Sequence, residues 1–367
     1  MIDLKRLFAG MAAALLAAVS FFPCRVSAVS ARSAIVMDAL TGRVLYERNA
    51  DDRSLIASTT KIMTALVVCE QCNVLDRMRI PKEAVGIEGS SIYLREGEVL
   101  TIQELLYGMM LHSGNDAATA LAIYCGGTVE GFAQLMNDKA QRLGLRGTHF
   151  VNPHGLDAPG HYSTARDMAV LAAYAMKNPI FAQTVSTKSL NMGSRTLRNH
   201  NKLLWQLEGA DGVKTGYTQA AGRILVSSAT RDGRRLIMVT IHDPNDWQDH
   251  KTMLERGFAD YQIRQILLKG DTVATVQVAG GDLQQVTLHA AADIYYPLAD
   301  GEVLSLLLPG KEFVYAPVAQ GQDAGVAYLC LNNEPVLKIP LVFGETIECK
   351  TDPAPPLWQR LFGGVHP

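Results

Sequence analysis

Between Ser58 and about Cys72 the chain carries Ile62, Met63, Ala65, Leu66, Val67, Val68 and Cys69, apolar residues nearly all the way round a helical wheel. A surface helix keeps one polar face, so this pattern predicts a helix buried in the middle of a domain. Such a helix needs other elements on every side, and the neighbouring patterns supply them. Helical periodicity recurs at Ile102–Met110, Asp116–Tyr124, Val129–Leu143 and Ala165–Lys177. Ser33–Asp38 reads as a buried strand, and Thr41-Gly42 turns it into a second, Arg43–Arg48. After Gly212 come strands at Arg223–Ala229 and Arg235–Ile241, separated by an Arg231-Asp232-Gly233 turn. Asp243-Pro244 is expected to open a last helix to about Tyr261, with Asp243 as N-cap.

From about Gly270 the character changes. Thr272–Val278, Gln285–Leu288, Val303–Leu308, Gly325–Leu331 and Pro335–Val342 are short, rich in β-branched residues and separated by Gly, Asp or Asn. They predict a separate small antiparallel β-domain. A length of 367 residues agrees with two domains, or three, at roughly 150 residues each.

The first residues read as an export signal. Lys5 and Arg6 precede an apolar run from Leu7 to Phe22, and Val26-Ser27-Ala28 puts small residues where a signal peptidase cuts. The run is marginally short for a bilayer span, which favours cleavage before about Val29 over a retained anchor. The expected organisation is therefore a signal peptide at 1–28, a catalytic domain at 29–265, the β-domain at 266–350, and a Pro-rich linker with a short tail at 351–367. Trp358, Leu361 and Phe362 in that tail offer a weak peripheral membrane contact. A net charge of −2 with no long single-sign run excludes a polyanion such as nucleic acid as the natural partner.

Five cysteines remain after cleavage, an odd number that cannot all pair within one chain. Cys69 and Cys72 end an apolar helical run without a second Cys pair or nearby His, which favours core packing over a zinc or redox role. Cys330 and Cys349 both lie in the distal β-rich region and are candidates for a pair.

Three motifs follow in one order: Ser58-Thr-Thr-Lys61, Ser113-Gly-Asn115 and Lys214-Thr-Gly216. Each alone is weak, since SxxK or SxN arises about once in any chain this long and KTG about once in ten. Their placement gives them weight. Ser58 and Lys61 are three apart at a helix start and share a face. A serine needs an adjacent base to act as a nucleophile, and Lys61 serves only when neutral. Burial in the apolar helix and a second cation, Lys214, both push its pKa down. Ser113 is placed to relay a proton and Asn115 to hold a substrate carbonyl. Thr215 can hydrogen-bond a carboxylate, and Gly216 lets backbone approach closely.

This set occurs in penicillin-binding proteins and class A β-lactamases. Ser33–Glu47, Ala57–Thr64, Asn152-Pro-His-Gly-Leu156, His161–Asp167 and Asp211–Thr218 resemble the low-molecular-mass D-alanyl-D-alanine carboxypeptidases. The resemblance runs from about Ala31 to Tyr261 and more loosely to about Ile347. It implies an α/β serine β-lactamase/transpeptidase-like fold, an antiparallel sheet with helices, followed by the all-β domain. It also implies a peptidoglycan stem peptide ending in D-Ala-D-Ala as substrate, β-lactams as covalent inhibitors, and an oxyanion hole from the backbone N–H groups of Ser58 and Tyr217. No metal or cofactor is implied.

Two departures stand out. Some relatives use an Arg after the last sheet strands to hold the substrate carboxylate, and His242–Lys251 contains none. Many relatives end in a longer anchor helix. The rival readings are a β-lactamase and a non-catalytic penicillin-binding sensor. A sensor needs a membrane span joined to a signalling region, and a dead module would often lack one of Ser58, Lys61, Ser113 or Lys214. His242, Asp243, Asp246, Asp249 and His250 read as a capped helix start with acidic residues favoured by the dipole. His154 and His161 read as structural hydrogen-bonding residues, and Asn199-His-Asn-Lys-Leu-Leu204 as ordering the loop that presents Lys214.

Overall fold

The computed structural model describes residues 29–310 and 313–350, so the expected leader and the expected tail lie outside the described residues. The chain opens with β1 (Ser33–Asp38) and β2 (Val44–Arg48), then a single 3-10 turn, Ala57–Thr60, running into helix α1 (Lys61–Gln71). A small hairpin of β3 (Arg77–Arg79) and β4 (Val99–Thr101) leads to α2 (Ile102–Leu111), α3 (Asn115–Gly126), α4 (Val129–Arg142), α5 (Ala165–Ala175) and α6 (Pro179–Ser186). A second hairpin, β5 (Ser189–Met192) with β6 (Arg195–Arg198), and the short α7 (Leu203–Gln206) precede β7 (Ala210–Thr218), β8 (Gly222–Arg231), β9 (Arg234–Ile241) and α8 (Asp246–Asp260).

Five strands form one antiparallel sheet in the order β2-β1-β9-β8-β7, which leaves β7 at an edge. Strand alternation sorts its side chains into two layers. Ile35, Met37, Ile224, Val226, Ile237, Val239 and Ile241 pack on the helical side, against α1 to α6. Ala34, Val36, Leu225, Ala229, Leu236 and Met238 pack on the other side, against Met253 and Leu254 of α8. At the centre of the helical layer sits α1, with every residue from Lys61 to Val68 buried. Its lack of a polar face is thereby explained. Asp232 and Gly233 both have positive φ, 48° and 77°, and make the two-residue turn that a tight hairpin demands.

Several boundaries differ from expectation. Ser58 lies in the 3-10 turn, because Ala57 takes a left-handed φ of 44° and Thr59 N–H bonds back to Ile56 O. The last helix starts at Asp246 with Asn245 as N-cap, not Asp243. Asp243 is occupied otherwise: it accepts from Asn245 N and from Ser30 Oγ.

The distal strands are β10 (Gln262–Leu267), β11 (Thr272–Ala279), β12 (Gln285–Ala290), β13 (Ile294–Leu298), β14 (Leu304–Leu307), β15 (Phe313–Tyr315), β16 (Asp323–Leu331) and β17 (Glu334–Phe343). Six of them form a sheet ordered β14-β16-β17-β12-β11-β15 around a core of its own that includes Val286, Leu288, Leu329, Ile339 and Leu341. The expected antiparallel pairing holds except at β11 and β15, which run parallel. Cys330 and Cys349 do not pair. Cys330 lies opposite Pro335 at the start of β17, whereas Cys349 bridges to Gly281 beyond that strand's far end. Arg43 ties the β1–β2 turn to this region: it donates to Pro297 O and to Glu302 Oε1, with the rings of Tyr261 and Tyr296 at 5.0 and 5.1 Å.

Candidate active site

Ser58, Ser113, Thr215, Gly216 and Tyr217 line one cavity of about 310 Å³, beside Ser90, His200, Arg223, Ile224, Asp246 and Trp247. Lys61 and Asn115 stand behind Ser58, and Lys214 is buried in the β7 wall. All eight expected residues are brought together.

The 3-10 turn presents Ser58 half-buried, one turn before Lys61. Lys61 Nζ lies 3.0 Å from Ser58 Oγ, 2.7 Å from Asn115 Oδ1 and 2.7 Å from the backbone carbonyl of His154. None of the three is a carboxylate. Full burial pushes the Lys61 pKa well below 10.5, the Lys214 charge pushes the same way, and Asp116 opposes them. Lys214 is itself lowered to about 7 by burial, and its ammonium donates to Thr215 O at 3.0 Å.

Ser113 has a φ of 64°, a conformation L-residues rarely adopt, and is buried where the chain turns from α2 into α3. Asn115 opens α3. Its amide bridges two elements, accepting from Lys61 and donating to Glu88 O at 2.5 Å, while its backbone N–H bonds Ser90 O. Asp116 is a residue that sequence reasoning missed. Buried at the same helix start, it accepts from Ile92 N, Leu94 N and Ser91 Oγ and so fixes the 91–94 wall of the site. An acid in the first turn of a helix was the signal for it.

The Asn152–Leu156 segment closes the other side. Gly155 (φ 89°) runs so near the Ser58 turn that an added Cβ would fall 1.8 Å from Ala57 O. Thr64 Oγ1 donates to Pro153 O, and Asn152 holds Gly155 N. His161 accepts from Val151 N through Nδ1, so Nε2 carries the proton and donates to Thr60 Oγ1 at 2.8 Å. Burial lowers its pKa to about 4 and that of His154 to about 3. His154 Nδ1 accepts from Leu156 N, so both rings make hydrogen bonds within the wall of the site.

Gly216 approaches the same Ser58 turn from the β7 side, less tightly: its Cβ would lie 3.3 Å from Ser58 N and from Ile56 O. Asn201 donates to Gly212 O at 2.7 Å and is held by Asn199, which fixes the approach to Lys214. In the acidic segment near α8 the three aspartates and His250 have protein partners. His250 lies between Ser227 and Thr240, Asp246 takes Arg223, and Asp243 and Asp249 take Ser30.

Known proteins share this architecture. A sequence model of the D-alanyl-D-alanine carboxypeptidases matches residues 22–245, and one of the penicillin-binding protein 5 C-terminal domain matches residues 261–349. D-alanyl-D-alanine carboxypeptidase DacF of Bacillus subtilis is 34% identical over 334 residues, covering 87% of this chain and 86% of that protein. DacC of Escherichia coli, of the same description, is 35% identical over 340 residues, covering 87% and 85%. Penicillin binding protein 5 from Haemophilus influenzae superposes with a TM-score of 0.78 at 31% identity, over 88% of this chain and 98% of that one. Penicillin binding protein 6B from Escherichia coli gives 0.71 at 29%, over 88% and 98%. The chain belongs to the D-alanyl-D-alanine carboxypeptidase family, with a penicillin-binding protein 5 type C-terminal domain behind its peptidase domain.

Proposed function

We propose that this D-alanyl-D-alanine carboxypeptidase works by acyl transfer through Ser58. The observation that carries the reading is the set of contacts around Lys61. A neutral amine has two N–H bonds and one lone pair. Asn115 Oδ1 and His154 O accept the two N–H groups, which leaves the lone pair for the Ser58 hydroxyl. Burial and the Lys214 charge favour that neutral form.

Ser58 Oγ attacks the carbonyl carbon between the last two D-alanines as its proton passes to Lys61. The oxyanion is held by the backbone N–H groups of Ser58 and Tyr217. The close approach of Gly216 to Ser58 N supports that pairing. Ser113 carries a proton to the leaving amine, with Lys214 beside it, and D-alanine departs. Water then cleaves the ester at Ser58. Asn115 has a second amide hydrogen for the substrate carbonyl, and β7, an edge strand, offers backbone groups for an extended peptide to pair with. Thr215 takes part in holding the terminal carboxylate.

A β-lactam presents an equivalent carbonyl and acylates the same serine. The catalytic unit spans 29–265 and the β-domain 266–350, and no cofactor enters any step. Residues 1–28 direct export, which places the enzyme with its wall substrate outside the cytoplasmic membrane, the tail adding at most a weak membrane contact. The role is the trimming of stem peptides during wall growth and shaping.

Ser58→Ala tests the reading. The variant should fold, because one hydroxyl is removed from a half-buried position, and should take up no fluorescent penicillin. Undiminished labelling of the folded variant refutes the assignment of the nucleophile.

A further inference from the structure

The substrate proposed above ends in a free carboxylate, and penicillin carries one as well. A cleft that selects a chain terminus over an internal peptide bond needs a counter-charge there. Lys214 is a poor sole provider: its side chain is buried in the β7 wall and its amine is turned to Thr215 O at 3.0 Å, and burial lowers its pKa to about 7. Thr215 offers a neutral hydroxyl, and the segment from His242 to Lys251 contains no arginine.

Arg223 stands where the charge is needed. It is the second residue of β8 and lies directly opposite Tyr217 of β7. Cross-strand partners project to the same side of a sheet, as do residues two apart along one strand. Arg223, Tyr217 and Thr215 therefore share a face, and all three line the cavity that contains Ser58.

Its guanidinium is anchored without being used up. Nη2 donates to both carboxylate oxygens of Asp246, at 2.7 and 2.8 Å, and Cζ lies 5.8 Å from the Trp247 ring. The two partners differ in exposure: the Asp246 side chain is 4% exposed and that of Arg223 44%. Asp246 is thus a buried tether, and the more exposed Arg223 lines the cleft. Among the described residues, Nε and Nη1 have no protein acceptor. An arginine stays charged at any working pH and offers several N–H donors to a carboxylate.

We propose that Arg223 is a substrate-binding residue for the terminal carboxylate of the D-Ala-D-Ala peptide and for the carboxylate of β-lactams, with Asp246 and Trp247 as positioning residues. The inference rests on the Ser58 reading, which sets where the scissile bond lies.

The test compares a peptide ending in D-Ala-D-Ala with its C-terminal amide, following release of D-alanine and of D-alaninamide. The parent enzyme should prefer the acid. Arg223→Leu should lose about ten- to a hundredfold in kcat/KM on the acid, chiefly through KM, with the amide little changed, so that the preference collapses. Arg223→Lys keeps a charge against Asp246 and should retain part of the preference. It also decides the matter by the same ratio should Arg223→Leu fail to fold. A folded Arg223→Leu that keeps the parent's acid-over-amide ratio overturns the assignment, as does an Arg223→Lys enzyme whose ratio is unchanged. A parent that releases nothing from either peptide removes the Ser58 reading and this inference with it.

Discussion

Lys61 Nζ stands 3.0 Å from Ser58 Oγ on the same helical face, wholly buried and with no carboxylate against it. A lysine so placed is destabilised as a cation and favoured as an amine. The apolar surface of α1 therefore has a chemical consequence as well as a structural one. It makes the core of the helical layer, and it withholds from Lys61 the solvation that would keep it protonated.

The pH profile of penicillin acylation should follow from this. Acylation needs neutral Lys61, so the rate should rise as pH rises through its depressed pKa. Part of the depression comes from the Lys214 charge. In Lys214→Met that repulsion disappears, the Lys61 pKa rises, and the acid limb should move to higher pH. Burial is the larger cause and persists, so the limb should stay below the ordinary lysine value. An acid limb that stays in place shows that the two lysines are not coupled.

Lys61→Arg should be clearly less stable than the parent, because it buries a larger and permanently charged group with no carboxylate against it, and the folded fraction should lose acylation by orders of magnitude. Guanidinium does not give up its proton at working pH and so cannot take one from Ser58. Acylation near the parent rate places the base elsewhere.

Gly155→Ala should both destabilise the protein and slow acylation. The backbone there has a φ of 89°, and the new methyl would meet Ala57 O at 1.8 Å. Strain of this kind is worth about 1–3 kcal/mol, and its relief must push the Ser58 turn away from Lys61. Denaturant unfolding and penicillin labelling on the same sample measure the two effects. A stable variant with normal labelling contradicts the packing described here.

Stability should fall in mild acid. His161 and His250 are buried, and burial lowers their pKa values from 6.5 to about 4 and about 3. The unfolded chain binds protons below about pH 6.5 that the native protein refuses. The contribution is therefore complete above that pH and is lost as pH falls toward about 4 for His161 and about 3 for His250. Each group gives a slope of up to about 1.4 kcal/mol per pH unit in that window. His250→Gln keeps a donor and an acceptor for Ser227 and Thr240 and should flatten the curve measured by denaturant unfolding. An unchanged slope removes His250 from the balance.

The residues of the candidate site were more legible in the sequence than the rest of the fold, for a physical reason. Ser58, Lys61, Ser113, Asn115 and Lys214 belong to motifs that are common singly and informative in this order and placement, and the buried helix that begins at Lys61 is written in a nearly unbroken apolar run. Arg223 was hidden, and Asp246 was read only as an acid at a capped helix start. Each is an ordinary polar residue in its own segment; the Tyr217–Arg223 register brings Arg223 to the cleft, and its ion pair with Asp246 ties the start of α8 to the same place. The short β5–β6 hairpin and α6 were likewise not visible, since four-residue strands such as Ser189–Met192 carry too few alternations to register. Cys330 and Cys349 looked close in composition and sit at opposite ends of β17.

Cys69, Cys72 and Cys125 pack against the helical core from its edge. Burial pushes the Cys69 thiol up to about 12, and the contact with Cys72 raises that of Cys125. Two of the three are thus poor thiolates, and among the described residues no group suited to a metal ion is present. Cys69→Ala combined with Cys72→Ala should lower stability by about 1–2 kcal/mol and leave the acylation rate unchanged. A fall in rate with stability preserved would point to a chemical role for the thiols.

The central claim is that Ser58 forms an acyl-enzyme which a peptide substrate leaves readily and a penicillin leaves slowly. No glutamate occurs between Glu130 and Glu208 to activate water on the penicilloyl ester. Asp167 is committed to Gly147 N and Thr148 Oγ1, and Asp157 to Thr218. Time-resolved mass spectrometry after brief exposure to penicillin, run beside a D-alanine release assay, measures both halves at once. The account predicts one penicilloyl adduct on the Ser58 peptide that persists for minutes or longer, while a D-Ala-D-Ala peptide turns over and releases D-alanine. Rapid penicillin turnover without D-alanine release, or an adduct on another residue, would contradict it.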